Sequence, residues 1–284
     1  MDITLAHSPD ADDAFMFYAL AKDLIDTGAY VFKHTLADIQ TLNERARETI
    51  YDVTALSVAA YPRVADKYQI LPCGASMGDG YGPVVVSREP LTKETLAQTT
   101  IAVPGLETSA YRALKLWLHP VEPTVEVVKF DEIMQRVNAG NYPAGLLIHE
   151  GQLTHPEHGL RLVEDLGAWW KAKTGFPLPL GINAIKRSIP EDTKGQVVRL
   201  LRESINYALG HETEAVAYAL DFAREVSKTD TKKFIGMYVN DMTLDIGATG
   251  IKAIKLFLES SEHWNSASKS VIDIALTDDA TSCM

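Results

Sequence analysis

Three scarcities narrow the field before any motif is read. The chain of 284 residues holds two cysteines, Cys73 and Cys283. Two cannot build a disulfide framework or a zinc set, so both are expected as free thiols. No run of about 18 apolar residues occurs, and no membrane span is expected. The start, MDITLAHSPDADD, lacks a basic segment followed by an apolar core. It does not read as a secretory signal, and the expected compartment is the cytoplasm. Basic charge is also short: 27 lysines and arginines against 38 acids give a net charge of -11. A nucleic-acid partner, held by basic patches that release counterions, is therefore not expected. A small anionic ligand remains allowed, because a cleft has its own local field.

The chemistry is concentrated in Ala144 to Leu160, AGLLIHEGQLTHPEHGL. A short apolar run, Ala144 to Ile148, ends abruptly in His149 and Glu150. A run of that length reads as a buried strand of a parallel sheet. Open α/β sheets bind ligands outside the carboxyl ends of their strands, and His149 stands at such an end. A neutral imidazole there suits a general base. On pattern alone the alternative is a histidine tied up in a packed loop.

The length suggests about two domains. Strands are expected at Ile3 to His7, Tyr30 to Leu36, Tyr51 to Ala55, Tyr68 to Leu71 and Pro83 to Ser87, with helices between the first three. Ser57 to Ala65 reads as a helix interrupted or kinked at Pro62. A second strand–helix series uses Thr99 to Val103, Val125 to Val128 and Ala144 to Ile148. A helix over Asp165 to Thr174 and a return strand over Pro177 to Ile185 follow. After Ser188 the pattern is helical; Val197, Leu201, Ile205 and Ala208 share one face. Beyond Ser266 lies a polar tail with one apolar run, Val271 to Leu276. The expected architecture is an α/β chain of two lobes: 1–88 with 180–284, and 89–179. Pro83 to Ser87 would leave the first lobe and Leu180 to Ile185 return to it, with a ligand between the lobes.

Several segments offer chemistry beside a plainer role. Asp10, Asp12 and Asp13 could hold a metal or act as an acid, but they fit helix capping better. His7 and Ser8 stand at the same strand end. Ser57 starts a helix after Ala55 and Leu56, and Thr108, Ser109 and Ala110 start another after Pro104. Helix-start amides and hydroxyls receive a carboxylate or phosphate well, though simple capping uses the same residues. Gly78, Gly80 and Gly82 precede a strand and lack Gly-Lys-Ser/Thr, so neither a dinucleotide fingerprint nor a phosphate loop is read there. His149, His155 and His158 do not have the H-E-x-x-H spacing of a zinc helix. Trp169 and Trp170 could wall a flat ligand.

Taken together, HSPDADDAFMFYAL, DVTALSVAAY, VPGLETSAY, GLLIHEGQLTHPEHGL and DLGAWWKAKTGFPLPLG resemble successive blocks of the menaquinone-biosynthesis proteins of the futalosine route. The nearer branch is 1,4-dihydroxy-6-naphthoate synthase, whose sister branch is chorismate dehydratase. The resemblance implies the type II periplasmic-binding-protein fold. It also implies a lyase without cofactor or metal that opens cyclic dehypoxanthine futalosine, a small carboxylate. His149 falls on the family's proton-abstracting histidine. Ala55, Leu56, Ser57, Ser109 and Ala110 fall on its substrate-contact segments. Two departures stand out. Ala55 takes the place of a common lysine, and Ala11-Asp12-Asp13-Ala14 replaces Pro-Asn-Asp-Thr. A binding protein without chemistry and a chorismate dehydratase-type paralogue stay as alternatives. The oligomeric state is left open, a monomer included.

Overall fold

The computed structural model describes residues 1–223 and 227–260. Its strands are β1 (Asp2–His7), β2 (Val31–Leu36), β3 (Val53–Ser57), β4 (Tyr68–Ile70), β5 (Ser76–Gly78), β6 (Val84–Ser87), β7 (Thr100–Val103), β8 (Thr124–Val127), β9 (Ala144–Leu147), β10 (Arg161–Asp165) and β11 (Leu178–Lys186). Among the described residues they form two sheets. One has the order β2-β1-β3-β11-β4, with β5 also paired to β11, and the other β10-β6-β9-β7-β8. β1 runs parallel to β2 and β3, and β11 antiparallel to β3, β4 and β5. β7 is parallel to β8 and β9, whereas β6 is antiparallel to β9 and β10.

The most apolar runs are the innermost strands. β3, β6 and β9 are buried at every position, as strands covered on both faces should be. Gly145 in β9 shows how close the cover lies. A Cβ there would come 2.6 Å from Ile133 Cγ2 and 2.8 Å from Val137 Cγ2. The missing side chain lets the helix Phe130–Asn138 lie directly on β9, and this fixes where the strand ends and His149 emerges. On the other sheet, Val197, Leu201 and Ile205 of the helix Glu191–Gly210 share one buried cluster with Ile3, Leu5 and Val53. Each such side chain contributes roughly 1.5–3 kcal/mol by leaving water. The terminal helices therefore pack back on the first sheet. No helix among the described residues is long and apolar enough to cross a membrane.

Several boundaries differ from the sequence expectation. Val84–Ser87 belongs to the second sheet, so the crossing out of the first is the short segment before it. The expected helix after Ser57 is a 3₁₀ turn, Val58–Arg63, containing Pro62, which lacks the amide a regular helix needs. β5 lies inside the glycine-rich stretch and β10 at a sheet edge. Neither carries the apolar run that marks a buried strand. The apolar run Val271 to Leu276 and Cys283 lie outside the described residues. Cys73 is a free thiol, fully buried.

The outward crossing is packed without slack. The Tyr81 carbonyl lies between Gly78 and Gly167, where a Cβ on either would approach it to 1.9 Å. The Leu166 amide donates to the Pro83 carbonyl at 3.0 Å, and the Tyr81 hydroxyl donates to the Met237 carbonyl. Gly167→Ala must push backbone against backbone. We expect it to lower stability by roughly 2–3 kcal/mol, read as a fall in the urea midpoint, with Ala168→Gly changing it by less.

Candidate active site

Loops from both sheets wall one cleft of about 720 Å³, counting its open mouth. The first sheet contributes Ser8 to Asp13 after β1, Ala55 to Ser57 at the end of β3, and Leu180 to Asn183 of β11. The second contributes Thr108 to Ala110 after β7, and Ile148, His149 and Gln152 after β9. Phe234 and Tyr238 come from the helix Lys228–Tyr238. Ala55, Leu56, Ser57, Ser109, Ala110 and His149, distant in sequence, thus line a single space.

His149 is held unusually. Its backbone is left-handed, φ 58°, a conformation that costs an L-residue other than glycine roughly 1–2 kcal/mol. Such strain persists where surrounding contacts impose it. Two of them do so here. Nδ1 lies 3.1 Å from Asp10 Oδ2, and the ring stands edge-on to Phe130 at 4.7 Å between centroids. The side chain is 17% exposed, against 3% for Asp10.

The acids of the first loop do not act as simple caps. Asp10 occupies the N-cap position of the helix Ala11–Met16, yet its side chain makes no cap bond and turns to His149 instead. The Asp13 carboxylate accepts from the Ser8 amide at 2.8 Å and the Ser8 hydroxyl at 2.7 Å. Burial pushes its pKa up, while those bonds and His149 pull it down. Asp12 is pushed well above the carboxylate range, first by burial, then by Asp13, Asp10 and Glu150. Asp10 stands at the N-cap and Asp12 and Asp13 in the first turn, as expected, but Asp10 makes no side-chain cap bond and all three line the cleft.

The same cleft also offers neutral donors. The Asn43 side-chain amide donates to Ser57 Oγ at 3.0 Å and accepts from the Ser57 amide at 2.8 Å. The Ser57 hydroxyl thereby keeps its hydrogen for a ligand. Ser109 Oγ already donates to the Leu180 carbonyl at 2.6 Å and accepts from the Ala59 amide at 3.2 Å. Thr108 caps the helix Ser109–Leu118 through the Tyr111 amide. What this helix start presents to a ligand is the amides of Ser109 and Ala110 more than the Ser109 hydroxyl. Glu107 fixes that start against the first sheet: its carboxylate meets Arg47 and Arg63, and its amide donates to Gln40. No lysine or arginine is among the described residues lining the cleft.

His149 thus stands beyond the carboxyl end of a central strand, in a cleft lined by acids and by helix-start donors. A family model described as menaquinone biosynthesis matches residues 3–263.

The chain belongs to the menaquinone-biosynthesis family.

Among its relatives is the 1,4-dihydroxy-6-naphthoate synthase of Thermus thermophilus, 40% identical over 91% of this chain and 93% of the relative. The enzyme of the same name from Streptomyces coelicolor is 35% identical over 89% and 90%. A crystal structure of an Archaeoglobus fulgidus protein superposes with a TM-score of 0.88 at 43% identity, covering 92% of this chain and 97% of that one. A Candida albicans protein described as having the generic periplasmic binding protein fold gives 0.76 at 12% identity over 96% of each chain. The fold of this family member is accordingly the periplasmic-binding-protein fold.

Other candidates lie elsewhere. His7 is not in the cleft; it packs on Phe17, and its Nε2 meets His34 Nδ1 at 3.2 Å. Trp170 is buried on Phe257 and donates to the Pro177 carbonyl, so the tryptophan pair does not wall the ligand space. Gly74 reaches the cleft, while Gly78, Gly80 and Gly82 serve the crossing. No nucleophile elbow is expected from the sequence, yet Gly74-x-Ser76-x-Gly78 has its spacing. Ser76 lies within β5, with no helix following, and its hydroxyl points to Asp12 at 3.4 Å, not to a histidine. Among the described residues no group of three or more histidine, cysteine or acidic side chains is arranged to hold a metal. Ser76, Gln152, Asn183 and Tyr238 are cleft residues to which the sequence assigns no role.

His7 and His34 yield a stability prediction. Burial lowers both pKa values from 6.5 to about 4. The unfolded chain then takes up protons that the native state refuses. Their contribution is complete above about 6.5 and lost as pH falls toward about 4. The urea midpoint is expected to drop over that window, and His34→Gln to flatten the drop.

Proposed function

We propose that this protein is a 1,4-dihydroxy-6-naphthoate synthase, acting on cyclic dehypoxanthine futalosine with His149 as general base. The observation that carries the proposal is the placement of His149: strained, oriented by Asp10, and open to a cleft whose neutral donors suit a carboxylate. With Asp10 accepting from Nδ1–H, the neutral ring keeps its lone pair on Nε2, the nitrogen that takes the proton. The substrate's aromatic carboxylate lies against the Ser57 hydroxyl and the amides of Ser109 and Ala110. These neutral donors stand in for the lysine replaced by Ala55. The sugar-derived part then reaches His149, and removal of its proton starts a retro-aldol-like cleavage to the naphthoate and a three-carbon product. In this reading the two sheets are the cores of lobes that close around the ligand, excluding water. No cofactor enters the reaction. The enzyme works in the cytoplasm on a small-molecule carboxylate, with neither nucleic acid nor membrane as a partner.

Asparagine is the informative replacement for His149, because it tolerates a left-handed backbone and keeps a donor for Asp10. His149→Asn is expected to lower turnover of cyclic dehypoxanthine futalosine by about 10²–10⁴-fold. Stabilisation by the naphthoate product, followed by thermal shift, should persist. Turnover at the wild-type rate would remove His149 from the mechanism. A substrate recovered unchanged from the wild-type protein would favour a binding protein without chemistry.

A further inference from the structure

Four carboxyl groups, those of Asp10, Asp12, Asp13 and Glu150, crowd around one end of the cleft, and they are not equivalent. Asp13 takes two hydrogen bonds from Ser8, and Asp10 takes one side of His149. Asp12 is nine-tenths buried; its carboxyl group accepts from the Asp13 amide and lies 3.4 Å from the Ser76 hydroxyl. The titratable groups facing it are Asp10 and Asp13 on its own loop, Glu150 from the turn after β9, and Tyr238 from the helix Lys228–Tyr238. Burial and three acidic neighbours push its proton on, outweighing the hydrogen bond from the Asp13 amide, and no lysine or arginine is among the described residues lining the cleft to oppose them.

A second observation lies on the same wall. Asn183 Oδ1 is a buried acceptor with no donor, while Asn183 Nδ2 is anchored on the Gly74 carbonyl at 2.9 Å. Ser76 stands opposite Gly181 in register, and a Cβ on Gly181 would lie 3.7 Å from Ser76 Cβ. Asn183, two residues further along β11, shares that face. The orphan acceptor and the Ser76–Asp12 contact therefore belong to one side of the cleft.

We infer that Asp12 serves as a neutral carboxylic acid whose O–H donates to a ligand oxygen that gains negative charge during the reaction, with Asn183 Oδ1 accepting from a neighbouring ligand hydroxyl. The inference rests on the lyase reading above. His149 takes the proton of a substrate hydroxyl, whose C–O bond becomes double. The adjacent C–C bond breaks, and its electron pair moves onto a carbonyl oxygen as an enolate. A carboxylic acid at that oxygen stabilises the charge without adding one of its own in the resting site. The proton on His149 returns to the products.

The resting protein provides the first test. Its infrared spectrum at neutral pH should contain the C=O band of a protonated carboxylic acid, and Asp12→Asn should lack it. An ionised Asp12 in that spectrum overturns the inference. Turnover of cyclic dehypoxanthine futalosine provides the second. Asp12→Ala should lose about 10²–10³-fold in kcat, as for other donors to a developing oxyanion. Asp12→Asn keeps a donor of the same shape. It should retain more than about a tenth of kcat, and its pH profile should lose the alkaline fall of the wild type. Asp12→Asn as inactive as Asp12→Ala, or Asp12→Ala at full activity, overturns the inference. Failure of the wild type to turn over this substrate would overturn the function instead, with the infrared band still deciding the state of Asp12.

Discussion

The contact between His149 and Asp10 joins the two halves of the molecule at the point where chemistry is proposed. His149 follows β9 of the second sheet, and Asp10 follows β1 of the first. Their 3.1 Å approach spans the cleft. It depends on much that lies behind it. Gly145 lets a helix rest on β9 and sets the end of that strand. Phe130, the first residue of the same helix, supports the imidazole ring. The left-handed backbone at His149 is tolerable because these contacts fix the residue from both sides.

The cleft is polarised without a cation. Acids gather around the imidazole, and the same space presents a hydroxyl and helix-start amides. A ligand with a carboxylate at one end and hydroxyl or carbonyl oxygens at the other is complementary to both. The net charge of -11 does not conflict with an acidic ligand, because recognition rests on local donors rather than on the overall field. Glu107, tied to Arg47 and Arg63, keeps the donor helix in register with the first sheet. In the proposed reading, recognition and the base are set by different contacts in the same crevice.

Much of this was legible in the sequence, for identifiable reasons. β3, β6 and β9 are short apolar runs, and His149 follows one of them, so its place beyond the carboxyl end of a buried strand could be read directly. Helix starts at Ser57 and Ser109 followed from strand-to-helix junctions, although the first proved a 3₁₀ turn because of Pro62. The role of the early acids was not legible. Asp10, Asp12 and Asp13 look like capping residues until burial is known, and burial depends on helices and loops far along the chain. Asn183 and Tyr238 carry no local signal at all; they reach the cleft through sheet register and helix packing. The edge strand β10, with charged ends, and the three-residue β5 lack the patterns that announce strands.

The most direct measurement is a crystal structure with the naphthoate product bound. The account predicts its carboxylate on the Ser57 hydroxyl and the amides of Ser109 and Ala110, and a ring oxygen turned toward His149 and Asp12. A product bound in the reverse sense, carboxylate against His149, or seated outside the cleft, would contradict it.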